Sequence, residues 1–142
     1  MNKVTLDTKV LDKIIEKFPD EASEIVRKAA FNVEGYAKMK AAVDTGAMMN
    51  SIYTVTEKLD GYTVAASKAK KANPKVETSP HPEPKDRFTA HVGPCVEYGI
   101  YVELGHYLRN GDFVSAKPFL LPALLSVEPW FMAQWHKLFE AL

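Results

Sequence analysis

Asp44-Thr45-Gly46-Ala47 comes nearest to a catalytic motif in this 142-residue chain. An aspartate in an Asp-Thr-Gly turn can supply one carboxylate to a dyad shared by two subunits, in which two acids hold one proton and activate water. That chemistry asks for a preceding strand and an almost all-β surround. Here the motif follows the helical run Ala37 to Ala42, and both ends of the chain read as helical. The favoured reading is therefore structural, with Asp44 or Thr45 capping a short helix through Met48, Met49 and Asn50 at a helix-to-sheet corner.

Other reactive residue types lack partners at useful spacings. Two of His81, His91, His106 and His136 could in principle join Cys95 or Glu97 at zinc, but no pair has a tight spacing such as H-x-x-x-H. Glu97 and Glu103 lie six apart, which a helix would not align as an acid–base pair, so salt bridges are the expectation. Ser51 has no His–Asp set that the sequence reveals. No glycine-rich phosphate loop occurs, and no stacking platform for single strands is evident. Nothing here asks for an enzyme, a metal or a cofactor.

The bulk properties agree. Eighteen basic residues against eighteen acidic give a formal net charge of zero. Phosphate-gripping proteins show a basic excess or stripe, so autonomous DNA binding is not expected. A single domain is the simplest partition at this length, with a core large enough to need neither disulfide nor metal. Cys95 is the one cysteine and can form no internal disulfide. Met1 to Val10 lacks a signal-peptide core, and no apolar run reaches the roughly 18 residues that span a bilayer. The expectation is a soluble chain made in the cytoplasm.

The elements that must position these residues follow from periodicity. Leu6, Val10, Ile14 and Phe18 form one face of a first helix, which Pro19 ends by pushing Phe18 out of helical geometry. A longer helix then carries Ala22, Ile25, Val26, Ala29, Val33, Tyr36 and Ala37 on one stripe, with acids at its start and lysines at its end. Gly35 inside it suggests close packing against a neighbour, since glycine costs about 1 kcal/mol there. Tyr53 and Val55, then Tyr62, Val64 and Ala66, alternate around Lys58-Leu59-Asp60-Gly61 as a hairpin would. From residue 67 to 87, lysines and prolines replace large apolar residues, which reads as a flexible arm. Its basic half, Lys68 to Lys75, reads as a solvated charge run before it reads as a phosphate contact.

Phe88, Ala90 and Val92 make a third strand signal ending at Gly93-Pro94. Val96 to Leu104 alternates like a strand, yet also allows two helical turns with Tyr98, Tyr101 and Val102 on one face. Period alone leaves both open. Asn110-Gly111-Asp112 is a strong turn. Leu124, Val127, Phe131, Trp135, Leu138 and Leu142 then repeat at helical spacing, with Pro122 and Pro129 suited to a first turn or a kink. The fold expected is α+β. Long N-terminal helices and a C-terminal helix pack on a small, mostly antiparallel sheet from residues near 52–57, 62–67 and 88–93.

Three landmarks, in order, carry a resemblance. They are Val43-Asp44-Thr45-Gly46 with Ser51-Ile52; Val92-Gly93, Val96-Glu97-Tyr98 and Tyr101-Val102-Glu103-Leu104-Gly105; and Lys117-Pro118-Phe119-Leu120-Leu121-Pro122-Ala123-Leu124. Together they resemble a family of tailed-phage neck proteins, the head–tail connector and minor tail components. The resemblance implies a virion protein that joins head to tail, as a homo-oligomeric ring around a channel for double-stranded DNA. Its partners would be other connector and tail proteins, with neither specific DNA binding nor a membrane. It implies a short helix over Tyr98 to Leu104 at the sheet edge. It also implies structural or interface roles for Asp44, Thr45, Gly46 and Ser51 at the corner, and for Gly93, Glu97, Tyr98, Tyr101, Glu103 and Gly105 around the central turn. Pro118, Phe119 and Pro122 would anchor the last segment. Ala47, Leu121 and His106 depart from the residues common in the family, and the Lys/Pro arm is no part of its pattern. The alternative function is a dimeric retroviral-type aspartic protease using Asp44.

Overall fold

The computed structural model describes residues 8–41 and 46–142. Asp44, Thr45 and Val43 of the corner, and Leu6 of the first helical face, lie outside the described residues. Among the described residues, six helices and two small antiparallel sheets make an α+β fold that is mostly helical.

Helix α1 (Lys9–Lys17) ends where Phe18 takes φ −127° and ψ 59°, and Pro19 opens α2 (Pro19–Lys40). Proline suits a first helical position because its missing N–H is one that no intrahelical carbonyl would accept. Ile14 is the buried residue of α1, which packs on α2 and on the C-terminal helix α6 (Leu120–Glu140). Helices α2 and α6 pack on each other, with Ala30, Val33 and Ala37 buried from one and Ala123 and Val127 from the other. Gly35 faces open space, so its position reflects no close packing.

Gly46, at φ +84°, leads into α3 (Ala47–Ser51), where Ser51 Oγ donates to the Met48 carbonyl at 2.7 Å. Strand β1 (Ile52–Val55) is buried along its whole length, between α2 and the next helix. Its partner is β2 (His91–Pro94), with Ile52 opposite Pro94 and Val55 opposite His91.

The hairpin expected at 52–57 and 62–67 does not form. After a single bridge between Val55 and Asp60 the chain enters helix α4 (Tyr62–Ala72). The Asp60 carboxylate accepts the Tyr62 N–H at 2.9 Å and starts the helix, and alanine is the best helix former. Ala65 and Ala69 are buried while Val64 is 58% exposed, so the burial period is helical. The loop expected from Ser67 is accordingly helix as far as Ala72. Gly61 is required at the switch, because a Cβ there would lie 2.5 Å from the Thr54 carbonyl oxygen.

The proline-rich continuation is tied down at several points. Ser79 N–H donates to the Cys95 carbonyl at 2.8 Å, Glu97 N–H donates to the Glu77 carbonyl at 3.0 Å, and the Tyr62 hydroxyl donates to the Ser79 carbonyl. His81 Nε2 lies 2.8 Å from Asp60 Oδ1, and Arg87 pairs with Asp20 at 2.6 Å. The third strand begins later than expected, at His91, because Asp86 holds Phe88 and Thr89 in a turn. Gly93 and Pro94, expected to end that strand, are its last two residues.

The hydrogen bond to Asp60 raises the His81 pKa above its ordinary 6.5, and the same bond lowers that of Asp60. Below the unfolded histidine value the His81 contribution is fully present, and it is lost as pH rises through the raised value. The Asp60 contribution is present above the unfolded carboxylate value and is lost as pH falls through the lowered one. The tie is therefore strongest between about pH 4 and 6.5. In an NMR titration, Asp60→Asn should return the His81 midpoint to near its ordinary value; an unchanged midpoint would refute the pairing.

Candidate functional site

Helix α5 (Gly99–Leu104) resolves the central stretch, which period alone left open, as helix. The chain leaves β2 through Cys95 and Val96, both buried, and Gly99 settles against Pro94. A Cβ at Gly99 would come 2.4 Å from Pro94 Cγ, so only glycine lets the helix start this close to the strand. Val102 packs partly buried against the core, while Tyr98 and Tyr101 are 37% and 54% exposed.

Glu103 then points at the start of α6. One carboxylate oxygen accepts the N–H of Phe119 at 2.7 Å and of Leu120 at 3.0 Å; the other accepts the N–H of Leu121 at 2.9 Å. A helix leaves its first four N–H groups without intrahelical partners. Here three go to Glu103, and the fourth position is Pro122, which has no N–H to satisfy. The accounting is complete. Ala116-Lys117-Pro118-Phe119 offers no Ser, Thr, Asp or Asn as a local cap, so the anion comes from sixteen residues upstream. It also sits at the positive end of the helix macrodipole. The salt bridge expected of Glu103 is replaced by this cap, and Glu97 is exposed.

A second tie closes the same junction: Lys117 N–H donates to the Val102 carbonyl at 2.8 Å. Phe119 is fully buried, Pro122 occupies the third position of α6, and Pro118 is exposed. Gly105, at φ +78°, ends α5 where a Cβ would meet Phe113 Cζ at 2.7 Å and the Val114 carbonyl oxygen at 2.8 Å. Between the tied ends runs a small hairpin, β3 (His106–Tyr107) paired with β4 (Phe113–Val114). Its turn uses Gly111 at φ +91°.

Behind this junction lies an open groove of about 890 Å³ between α2, residues 88–92 and α6. Val33, Phe88, Leu121, Leu124, Phe131 and Met132 are among its walls, with Glu103 at the α5 side. A smaller hollow of about 420 Å³ sits beside α5, lined by Pro94, Val96, Ile100, Leu104 and Leu120 among others.

The other sequence candidates stay apart. Gly93 is buried opposite Tyr53 in the sheet, and Ser51 is held by its own helix. His91 Nε2 lies 3.3 Å from the Glu83 carbonyl, and His136 pairs with Glu140 at 3.1 Å. Among the described residues, no group of three or more His, Cys, Asp or Glu could hold a metal ion. Burial pushes the Cys95 thiol pKa up, which makes it a poor nucleophile. No helix among the described residues is long and apolar enough to cross a membrane.

This mostly helical α+β chain thus combines a capped helix junction, an exposed hairpin and an apolar groove. Residues 8–105 match the family model described as "Bacteriophage HK97-gp10, putative tail-component". The match covers more than half of the chain, and the chain belongs to this family of phage tail components. It is a structural phage tail protein. The landmark from Lys117 to Leu124 lies beyond the matched residues, joined to them by the Glu103 cap. No curated protein and no solved structure matches the chain.

Glu103→Ala should destabilise the fold by about 2 kcal/mol, the scale of a lost helix cap with charge-assisted bonds. Glu103→Gln keeps one acceptor oxygen and should lose about half as much. Glu97→Ala, at an exposed position, should stay within about 0.5 kcal/mol of the parent. Urea unfolding midpoints read all three, and equal values for the two alanine variants would remove the cap from the account. Gly105→Ala forces a side chain into the left-handed region and onto Phe113. It should lower stability by more than about 1 kcal/mol in the same assay.

Proposed function

We propose that this tail component acts at the neck of a tailed phage or prophage, joining the portal or connector to the tail. Several copies form a ring and leave a channel through which double-stranded DNA passes. The work is assembly rather than catalysis, and it uses no cofactor. Its partners are further copies of itself and the neighbouring connector and tail proteins, and its place is the virion.

The family match over residues 8–105 carries this reading. The surface supports it. Ile100, Tyr101 and Leu104 on α5 are 58%, 54% and 67% exposed, and Leu121, Leu124 and Leu125 on α6 are each 55% exposed. Ile100 and Leu104 line the smaller hollow and Leu121 and Leu124 the groove, and exposed apolar patches mark protein contact sites. A formal net charge of zero suits passage of DNA without a tight grip. The aspartic-protease alternative needs an almost all-β subunit, whereas this chain is mostly helical with strands of two to four residues.

Electron microscopy of particles made without this gene tests the assignment. Filled heads beside separate, unjoined tails are the expected outcome. Heads stalled with uncleaved scaffold would restore the protease reading, and normal infectious particles would overturn both.

A further inference from the structure

The β3–β4 hairpin and the α2–α6 groove are two uncovered apolar surfaces on different parts of the chain, and their properties are complementary. We propose that the hairpin of one copy seats in the groove of the next, and that this is the contact by which copies add; the inference rests on the ring reading above.

The hairpin is poorly supported by its own chain. Its ladder has two residue pairs, and two-stranded hairpins are marginal in water without packing. Yet it carries Tyr107 at 77% exposure, Phe113 at 54%, Leu108 at 45% and Val114 at 37%. The Tyr107 and Phe113 rings lie 5.0 Å apart and form a single aromatic knob. Exposed aromatics of this kind are typical anchors of protein interfaces, and a partner's surface would supply the packing that the hairpin lacks in its own chain.

The groove has the opposite shape and charge. Its walls are apolar, and the charged residues among them are Glu103 and Glu128. Glu103 is engaged by the start of α6, which leaves Glu128 on the groove wall without an ion pair among the described residues. The hairpin offers Arg109 at its tip and Lys117 at its base, while its Asp112 is held by the Asn110 side chain at 3.1 Å. An apolar knob bearing a cation therefore meets an apolar trough bearing an anion. No residue from 105 to 118 lines the groove of its own chain. Because knob and trough are different surfaces, copies joined one way add head-to-tail into a closed ring or an open filament, whereas two copies that exchanged hairpins would stop at a dimer and give no ladder in the double-cysteine test below.

Sedimentation of the full chain over a concentration series, with charge-reversed variants, tests this. Arg109→Glu and Glu128→Lys should each weaken self-association about tenfold, and the double variant should recover most of the loss. Circular dichroism confirms that each variant is folded. A Tyr107→Cys chain mixed with a Leu124→Cys chain should give a mixed disulfide dimer, and the variant carrying both cysteines a ladder of higher species. Association that ignores both charge reversals and the cysteine pairs would place the contact elsewhere, overturning the inference while the ring reading stands. A chain that stays monomeric up to about 1 mM, without cross-linked ladders, also overturns it. So does a groove that takes up only a different tail protein. The ring reading itself is judged separately, by particle morphology.

Discussion

The junction at Glu103 fixes the geometry on which the rest of this protein depends. Three backbone donors at the start of α6 converge on one carboxylate, and proline removes the fourth donor. Half-buried amides without acceptors are costly, so the anion that α5 holds in place stabilises the helix start at this point. Glycines at 99 and 105 make that placement possible: one lets α5 press on Pro94, and the other lets the chain turn away against Phe113. The cap thus sets the position of α6, and with it the packing of α6 on α2.

Two features follow from the junction. The groove exists because α6 is held at one end by Glu103 while its Ala123 and Val127 pack inward, leaving Leu121, Leu124 and Met132 on a wall rather than in the core. The hairpin exists because its two ends are tied together, through the Val102–Lys117 hydrogen bond and the cap beside it. A trough and a projection therefore share one structural support.

The family match ends at Gly105, where the chain enters this hairpin. The residues beyond it are no appendage. Phe119 is fully buried in the same core as Val33, Ile52 and Val96, and α6 covers the second side of α2 with Ala123 and Val127. Much of the exposed apolar surface also lies beyond the match, on α6 and the hairpin. The matched part supplies the scaffold, and the following part completes its core and shapes the groove.

Local chemistry was enough to place the long helices, because their apolar stripes, the proline after Phe18 and the charged ends all act within a few residues. It also marked the resemblance to phage neck and tail components, since Tyr98 to Gly105 and Lys117 to Leu124 are contiguous motifs. It erred where alternation misled. Tyr62, Val64 and Ala66 mimic a strand, but Asp60 nucleates a helix whose alanines bury against α3 and β1. Periodicity left Val96 to Leu104 open between strand and helix and the resemblance implied a helix over Tyr98 to Leu104; the physical reason for the helix lies in the tertiary structure, because the two forms differ in which distant groups they satisfy. As a helix, this stretch delivers Glu103 to amides sixteen to eighteen residues away. For the cap itself the hint in the sequence was negative: the residues just before α6 contain no cap of their own. A missing partner can be read from a chain, but which residue supplies it is settled by how the chain folds back.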